Sequence, residues 1–461
     1  MDLFIIQGGT RLGGVARVHG SKNAALPIMA ASLLTDAPLT LTNIPDLADI
    51  RSMLALLDRL GVSMSANLAS SRLTLQADDP SSFIAPYDLV RKMRASICVL
   101  GPLLAKRKKA IVSLPGGCAI GHRPIDLHLK GLAALGVDLR IERGYVIAQA
   151  EHLTGTTIDL AGPNGTTVTG TCNLLCAATL AKGTTVLTSA AREPEVIDLG
   201  ELLIKMGAKI EGLGTSTLII HGVTELSAAT HEVIPDRIEA ATLLIAGAIT
   251  GGEVTLEKVR ADHLTSVVDA LARMGCTVQN THRSMTIKTT VEKLSPIDLA
   301  TGPYPAFPTD VQAQLMALAT LAPGKSRIVE TVFPDRFMHV SELVRLGAQI
   351  EQHGNTAIID GSRPMNGAPL MASDLRASAA LILAALAAQG ETVVRRIYHL
   401  DRGYQRLDET LNQLGAKINR VADGPENLPE ESIPGSDLLA GPHWMTKPAG
   451  VSESAQGRTS L

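Results

Sequence analysis

A six-fold internal repeat is the feature of this sequence that most restricts its fold. A glycine that follows Leu or Met at the end of an amphipathic stretch recurs at intervals of about 70 residues. The glycines are Gly61, Gly136, Gly207, Gly275, Gly347 and Gly415. Glycine is typical of the position after a helix C-terminus, because it adopts the left-handed conformation there without a steric penalty. The chain therefore consists of six copies of one unit, with a period too long for an ordinary solenoid.

Each unit contains a segment that is apolar nearly all the way round, which indicates a helix buried on every side. These segments span residues 24–34, 95–105, 172–181, 240–249, 312–321 and 377–388. A β-branched run follows, such as residues 184–187, and predicts a strand. An amphipathic helix such as 196–206 or 406–414 then ends at the repeat glycine and leads into a further strand. The predicted order is helix, strand, helix, strand.

Internal helices surrounded by strands are the reverse of the usual α/β layering. The length of 461 residues favours two or three domains, and three units per domain give two. Aromatic residues make up only 2% of the chain, so the core must consist of Leu, Val, Ile and Ala, which suits closely packed helices. The predicted fold class is therefore α/β, with two domains of three units each.

Charge and composition exclude several classes of protein. The chain has 42 Lys and Arg against 45 Asp and Glu, a net charge of −3, which argues against a nucleic-acid partner bound through a basic face. The longest strongly apolar stretch, 377–388, falls short of the roughly 20 residues that span a bilayer. The N-terminus has no basic region typical of a signal peptide. We therefore expect a cytoplasmic protein with no membrane partner, and the sequence does not identify a protein partner.

Two further features follow from local composition. The five cysteines include no CxxC pair and no metal-ligand spacing with His, so reduced thiols and no metal are expected. Residues 422–461 are rich in Pro, Gly, Ser and Glu and have no periodicity. This composition predicts a disordered C-terminal tail, although Trp444 and its neighbours are compatible with a small docking motif.

Cations recur where a buried helix begins or where the chain leaves the following strand. They are Lys22, Arg94, Arg123, Arg192, Arg237, Arg336, Arg376 and Arg402. Any one of them taken alone is best explained as a solvated or ion-paired surface residue. Their recurrence at equivalent positions favours a shared cleft that binds carboxylate or phosphate, for which Arg forks are suited.

Two residues stand out as reactive groups. Cys118 lies in a loop with Gly116, Gly117 and Gly121, next to His122 and Arg123, a setting that favours thiolate. The other four cysteines are expected to be buried. Asp310 opens a buried helix, where its role is either a first-turn charge or a general base. Histidines at 122, 128, 339 and 399 have no helical pairing with acids and are expected in loops or on helix surfaces.

Several motifs resemble one family closely, the UDP-N-acetylglucosamine 1-carboxyvinyltransferases, and the match runs from about Gly9 to Val421. The motifs include Ser21-Lys22-Asn23, Met93-Arg94-Ala95, Pro115-Gly116-Gly117-Cys118, Arg123-Pro124-Ile125-Asp126-Leu127, Arg192-Glu193-Pro194-Glu195, Pro308-Thr309-Asp310, Asp374-Leu375-Arg376 and Asp401-Arg402-Gly403. The resemblance implies two inside-out α/β barrel domains with the active site in the cleft between them. It assigns residues 22–234 to the first domain and residues 1–21 and 235–421 to the second.

The resemblance also implies the reaction. The enolpyruvyl group of phosphoenolpyruvate is transferred to the 3-hydroxyl of UDP-N-acetylglucosamine and phosphate is released, the first committed step of peptidoglycan synthesis. No cofactor and no metal are implied, because the arginines supply the positive charge. Two alternatives stay open: the related 5-enolpyruvylshikimate-3-phosphate synthase, which lacks the cysteine loop, and an inactive copy that serves as a binding protein.

Site residues are implied by the same resemblance. Lys22, Arg94, Arg123 and Arg402 would hold phosphoenolpyruvate, and Arg336 and Arg376 would close the cleft. Asn23 and Asp310 would bind the sugar, with Asp310 as general base. Cys118 would be the acid near C3 of phosphoenolpyruvate, and the family role of this cysteine also includes assisting product release. The remaining substrate contacts would come from Pro124, Ile125, Asp126, Leu127 and Val332. This chain departs from the family pattern at Gly165-Thr166-Thr167-Val168-Thr169, which contains no lysine. Many family members have a lysine in this segment, beside the nucleotide.

Overall fold

The structure is a computed structural model that describes residues 2–67, 70–116, 124–163, 165–281 and 283–424. Its α-helices are α1 Lys22–Ala30, α2 Ala48–Arg59, α3 Tyr87–Val90, α4 Leu100–Arg107, α5 Asp126–Ala134, α6 Val168–Thr179, α7 Pro194–Lys205, α8 Arg237–Ile249, α9 Thr265–Arg273, α10 Thr309–Ala319, α11 Val340–Arg345, α12 Leu375–Ala387 and α13 Leu407–Gln413. Short 3₁₀ helices at Ala31–Leu34 and Arg94–Val99 extend α1 and precede α4.

The strands of the described residues are numbered here in chain order. They are β1 Asp2–Gln7, β2 Gly13–Arg17, β3 Leu39–Thr42, β4 Val62–Asn67, β5 Arg72–Ala77, β6 Ile84–Ala85, β7 Lys109–Ser113, β8 Asp138–Glu142, β9 Tyr145–Gln149, β10 Thr157–Asp159, β11 Thr184–Thr188, β12 Lys209–Glu211, β13 Thr217–His221, β14 Ala229–Glu232, β15 Glu253–Glu257, β16 Thr277–Asn280, β17 Ser284–Lys288, β18 Asp298–Ala300, β19 Lys325–Val329, β20 Gln349–His353, β21 Thr356–Asp360, β22 Pro369–Met371, β23 Glu391–Arg395 and β24 Lys417–Ala422.

The repeat is visible in the sheets. The described strands form six four-stranded sheets, and a typical order is β10-β11-β13-β12. In that sheet β10 runs parallel to β11, while β13 runs antiparallel to both β11 and β12. The prediction of two strands per unit was therefore incomplete. In five sheets the hairpin partner of the amphipathic-helix strand was missed, whereas in the sixth β24 lies beside the N-terminal β1. A strand of only two to five residues at one edge of each of these sheets was also missed.

The six apolar segments are confirmed as buried helices. Three of them, α8, α10 and α12, pack against one another, and α6 likewise packs against α1 and α4. In α8 every residue from Ile238 to Ile249 is buried, so no face of this helix meets water. The amphipathic helices α2, α5, α7, α9, α11 and α13 end before the repeat glycines, which all have positive φ angles, for example 109° at Gly207.

The buried apolar side chains form two clusters. One is drawn from residues 24–233, and the other from residues 4–18 together with 238–418. The N-terminal strands join the second cluster, because β1 pairs with β23 and β2 pairs with β15. The chain therefore passes between the two cores twice, near residues 19–22 and 233–237. At these passages Gly20 forms a bridge with Pro235.

Candidate active site

A cavity of about 540 Å³ is lined by residues from both cores. The sequence-predicted residues that line it are Lys22, Asn23, Arg94, Pro124, Asp126, Leu127, Asp310, Val332, Arg336, Arg376 and Arg402. Cys118 and Arg123 lie outside the described residues. Ile125 is buried immediately before α5 and is not among the lining residues, and Arg192 is exposed, with its Nε donating to the Gly214 carbonyl at 3.2 Å.

The cavity lies at the beginnings of helices. Lys22 and Asn23 open α1, Asp126 and Leu127 open α5, and Asp310 lies in the first turn of α10. The first residues of a helix carry unpaired N–H groups and the positive end of the helix dipole. Backbone and side chains together therefore give the cavity a positive field that favours anions.

Asp310 is a carboxylate of the cavity that two arginines hold. Its Oδ1 accepts from Arg336 Nη1 at 2.9 Å and its Oδ2 from Arg376 Nη2 at 3.1 Å. Asn23 Nδ2 donates to Oδ2 at 3.4 Å. Burial alone would raise the pKa of the Asp310 carboxyl, but Arg376 and Arg336 outweigh it and hold the pKa well below its ordinary value. Asp310 is therefore ionised at neutral pH.

A buried polar network holds Arg376 through a different guanidinium nitrogen from the one that contacts Asp310. Arg376 Nη1 donates to the Tyr404 hydroxyl at 3.1 Å, and Gln314 Nε2 donates to the same hydroxyl at 3.2 Å. The hydroxyl of Thr242 lies 2.9 Å from that of Tyr404. These groups come from α8, α10, α12 and the segment after residue 402, so the network ties the guanidinium to the centre of the second core.

Sequence reasoning did not find the acidic partners of Arg237. Nε and Nη2 of Arg237 donate to the two carboxylate oxygens of Glu195 at 2.9 and 3.2 Å, and its guanidinium lies 5.7 Å from the Tyr304 ring centre. Burial raises the pKa of the neighbouring Glu193. All four residues line the cavity. The motif Glu193-Pro194-Glu195 was the available signal, but only the fold brings Arg237 to it.

The expectation that the histidines lie in loops or on helix surfaces is wrong for His128, which is buried within α5 and 2% exposed, whereas His339 lies in the turn before α11 and is also 2% exposed. Asn173 Nδ2 lies 3.1 Å from Nδ1 of His128, and Thr169 Oγ1 lies 3.2 Å from its Nε2. Burial and the nearby Arg94 lower the pKa of His128 to about 3. The histidine is therefore neutral, and it supports Thr169, which lies on the cavity wall.

The segment 165–169 lines the cavity beside His128. Thr167 caps α6, because its hydroxyl accepts from the Gly170 amide at 3.1 Å. This part of the wall presents threonine hydroxyls and the start of a helix, with no cation of its own.

The four cysteines of the described residues are buried, as predicted, and burial raises the pKa of each thiol, to about 12 for Cys98. Within the described ranges, no group of three or more His, Cys, Asp and Glu side chains is placed to hold a metal ion. No helix in this part of the chain is long and apolar enough to cross a membrane.

Comparison with known proteins agrees with this architecture. A sequence model of the family described as EPSP synthase (3-phosphoshikimate 1-carboxyvinyltransferase) matches residues 6–411. The chain is 52% identical over 424 residues to the UDP-N-acetylglucosamine 1-carboxyvinyltransferase of Dinoroseobacter shibae (strain DSM 16493 / NCIMB 14021 / DFL 12), covering 92% of this chain and 100% of that protein. The chain belongs to the EPSP synthase family of enolpyruvyl transferases.

Solved structures of enolpyruvyl transferases share the fold. The enolpyruvyl transferase NikO from Streptomyces tendae superposes with a TM-score of 0.83 at 29% identity, covering 91% of this chain and 99% of NikO. An EPSP synthase from Acinetobacter baumannii superposes with a TM-score of 0.70 at 19% identity, covering 92% of this chain and 100% of that one, and at this identity the match concerns the fold alone. The predicted fold class, two inside-out α/β domains, is confirmed.

Proposed function

We propose that this enolpyruvyl transferase moves the enolpyruvyl group of phosphoenolpyruvate to the 3-hydroxyl of UDP-N-acetylglucosamine. The observation that carries the proposal is the 52% identity to a UDP-N-acetylglucosamine 1-carboxyvinyltransferase along that protein's whole length. The cavity supports it, because both substrates are polyanions and six cations line it: Lys22, Arg94, Arg237, Arg336, Arg376 and Arg402. The reaction is the first committed step of peptidoglycan synthesis and takes place in the cytoplasm.

The donor binds among the cations. Lys22, Arg94, Arg123 and Arg402 hold the phosphate and carboxylate of phosphoenolpyruvate. Guanidinium groups suit this task because they form paired hydrogen bonds with planar carboxylates and with phosphates. No cofactor is required, since fixed positive charge can stabilise the developing negative charge directly.

The acceptor sugar binds at Asn23 and Asp310, and Asp310 is the general base. It removes the proton of the 3-hydroxyl as the oxygen attacks C2 of phosphoenolpyruvate. The two arginines paired with Asp310 make it a weak base. The anionic groups of phosphoenolpyruvate compete for Arg336 and Arg376, so Asp310 becomes more basic once the donor is bound.

Cys118 supplies the proton that C3 of phosphoenolpyruvate receives as the C2–O bond to the sugar forms. The resulting tetrahedral ketal then loses phosphate from C2 and a proton from C3, which restores the double bond. Arg123 follows Cys118 by five residues in the sequence, and a thiol with a cationic neighbour suits proton exchange. This role is implied by the resemblance of the Cys118 loop to that of the family.

The nucleotide lies along the start of α5 and the segment 165–169. Arg123, Pro124, Asp126 and Leu127 contact it from one side, with Val332 near the sugar, whereas Ile125 is buried and does not line the cavity. Where many relatives carry a lysine, threonine hydroxyls and the amides at the start of α6 bind the diphosphate in this chain.

The two apolar cores support domain boundaries at 22–234 for the first domain, and at 1–21 with 235–421 for the second.

Phosphate release from phosphoenolpyruvate tests the proposal. The purified chain is supplied in turn with UDP-N-acetylglucosamine, with shikimate 3-phosphate and with no acceptor. We expect release only with the sugar nucleotide, at a rate that saturates with both substrates. Release with shikimate 3-phosphate alone would assign the chain to 5-enolpyruvylshikimate-3-phosphate synthase, and no release with either acceptor would identify an inactive copy.

A further inference from the structure

Asp49 is a buried carboxylate that contacts two cations of the cavity. Its Oδ2 lies 3.3 Å from Lys22 Nζ, and its Oδ1 accepts from Arg402 Nε at 3.0 Å. Only 3% of Asp49 is exposed, and it is not one of the described residues that line the cavity. Lys22 and Arg402 both line it. Asp49 therefore acts on the cavity only through the two cations that it holds.

The two cations reach Asp49 from different cores. Lys22 opens α1 and Asp49 lies in the first turn of α2, both within the first core, whereas Arg402 ends a 3₁₀ helix of the second core. A second contact runs beside it, because the Asp46 amide donates to Gln405 Oε1 at 2.8 Å. The carboxylate therefore joins the two halves of the cavity at one point.

One carboxylate between two cations changes both their charge and their geometry. Without it, two positive groups would lie close together in a poorly solvated place, and their repulsion would turn them away from each other. With it, each cation keeps a fixed direction while still presenting donors to the cavity. Such orientation matters because misplacement by about 1 Å can reduce a reaction rate on the order of 100-fold.

We propose that Asp49 is a positioning residue for the enolpyruvyl transfer, holding Lys22 and Arg402 as one unit against the donor phosphate and carboxylate. This inference rests on the proposed function. Removal of its charge leaves both cations present, so the attraction for an anionic donor remains. The loss falls on the orientation of the cations, and hence on the chemical step.

The test compares Asp49→Asn with Asp46→Asn. Asp46 lies three residues earlier and pairs with Arg51 in solvent at 2.7 Å, so this control removes the same charge from the same segment without touching Lys22 or Arg402. We expect Asp49→Asn to lower kcat about 10- to 100-fold, with the KM for phosphoenolpyruvate changed less than about threefold. Asp46→Asn should stay within about twofold of the wild type.

A double-mutant cycle separates positioning from general damage to the fold. In an Arg402→Gln background, the effect of Asp49→Asn on kcat should shrink, because one of the two positioned groups is already gone. Equal effects of Asp49→Asn in both backgrounds, or turnover equal to that of Asp46→Asn, would overturn the proposal. A wild-type chain that fails to release phosphate would instead overturn the proposed function, and this inference with it.

If Asp49→Asn lowers the melting temperature by more than about 3 °C, roughly the effect of 1 kcal/mol in a domain of about 200 residues, Asp49→Glu replaces it. Glutamate keeps the charge and displaces the carboxylate by one methylene. A reduced kcat at unchanged melting temperature supports the positioning role, and wild-type kcat in this variant refutes it.

Discussion

Lowering the pH should destabilise the first core through a single histidine. Asn173 is oriented by its neighbours, since its Oδ1 accepts from the Gly101 amide and its Nδ2 donates to the Ile97 carbonyl. The same Nδ2 donates to Nδ1 of His128 at 3.1 Å. A proton on Nδ1 would bring two donors face to face in a buried site. The geometry therefore holds His128 neutral with its proton on Nε2, which donates to the Thr169 hydroxyl.

The size of the effect follows from proton linkage. The pKa of His128 is about 3 in the folded chain, against about 6.5 for an unfolded histidine. Because the folded pKa is depressed, the stabilisation is complete above pH 6.5 and is lost as the pH falls towards 3. Each pH unit inside that window costs about 1.4 kcal/mol. Between pH 7 and 5 the loss is about 2 kcal/mol, and it hardly changes for any folded pKa below about 4.

The assay is urea unfolding followed by far-ultraviolet circular dichroism at pH 7 and pH 5. In His128→Gln the difference in unfolding free energy between the two pH values should be about 2 kcal/mol smaller than in the wild type. The absolute stability of the variant falls as well, but the difference between pH values isolates the proton. His353→Gln is the control, because His353 is exposed (72% of its side chain) and should keep the wild-type pH dependence. Equal pH dependence in His128→Gln and the wild type would refute the reasoning.

Three further changes test the site. Asp310→Asn should lower kcat about 10²- to 10⁴-fold while UDP-N-acetylglucosamine still binds in calorimetry, since the amide cannot accept the hydroxyl proton; near wild-type kcat would leave Asp310 only its charge role at the start of α10. Tyr404→Phe removes the hydroxyl 3.1 Å from Arg376, so the unfolding free energy should fall by about 1–3 kcal/mol and kcat/KM for phosphoenolpyruvate should fall with it; an unchanged melting temperature would contradict this. Fosfomycin should alkylate Cys118, seen as a peptide adduct in mass spectrometry. Cys118→Asp should escape alkylation and keep more turnover than Cys118→Ser, because a carboxylic acid still exchanges a proton; an adduct on another cysteine would show that the loop thiol is misassigned.

The sequence was sufficient for the features that depend on local chemistry. Gly207 and Gly415 marked helix ends because a positive φ at that position favours glycine, and both adopt it. The buried helices were visible because no polar face interrupts residues 238–249. The short parallel strands were not visible, since β10 has three residues and contains no period that distinguishes it from a loop.

Pairings between distant residues were beyond the sequence for a physical reason. The negative charge of Asp310 is paired with arginines 26 and 66 residues away. His128 is kept in its uncharged form by Asn173, 45 residues away. No local pattern encodes such contacts. Asp49 lies in the first turn of α2 and was not singled out in the sequence, and only the meeting of two cores gives it Arg402, 353 residues away.

The internal carboxylates explain how a chain with a net charge of −3 can build an anion site without a basic surface. Three acids form ion pairs with five of the cations. Asp310 pairs with Arg336 and Arg376. Asp49 pairs with Lys22 and Arg402, and Glu195 pairs with Arg237. Each of these cations is ion-paired before a ligand arrives, and three carboxylates against five cations leave an excess of two positive charges. The pairing and the screening by solvent reduce the attraction for a distant anion. It has to enter the cavity and share these guanidiniums with the acids, which favours ligands with several anionic groups over a single free phosphate.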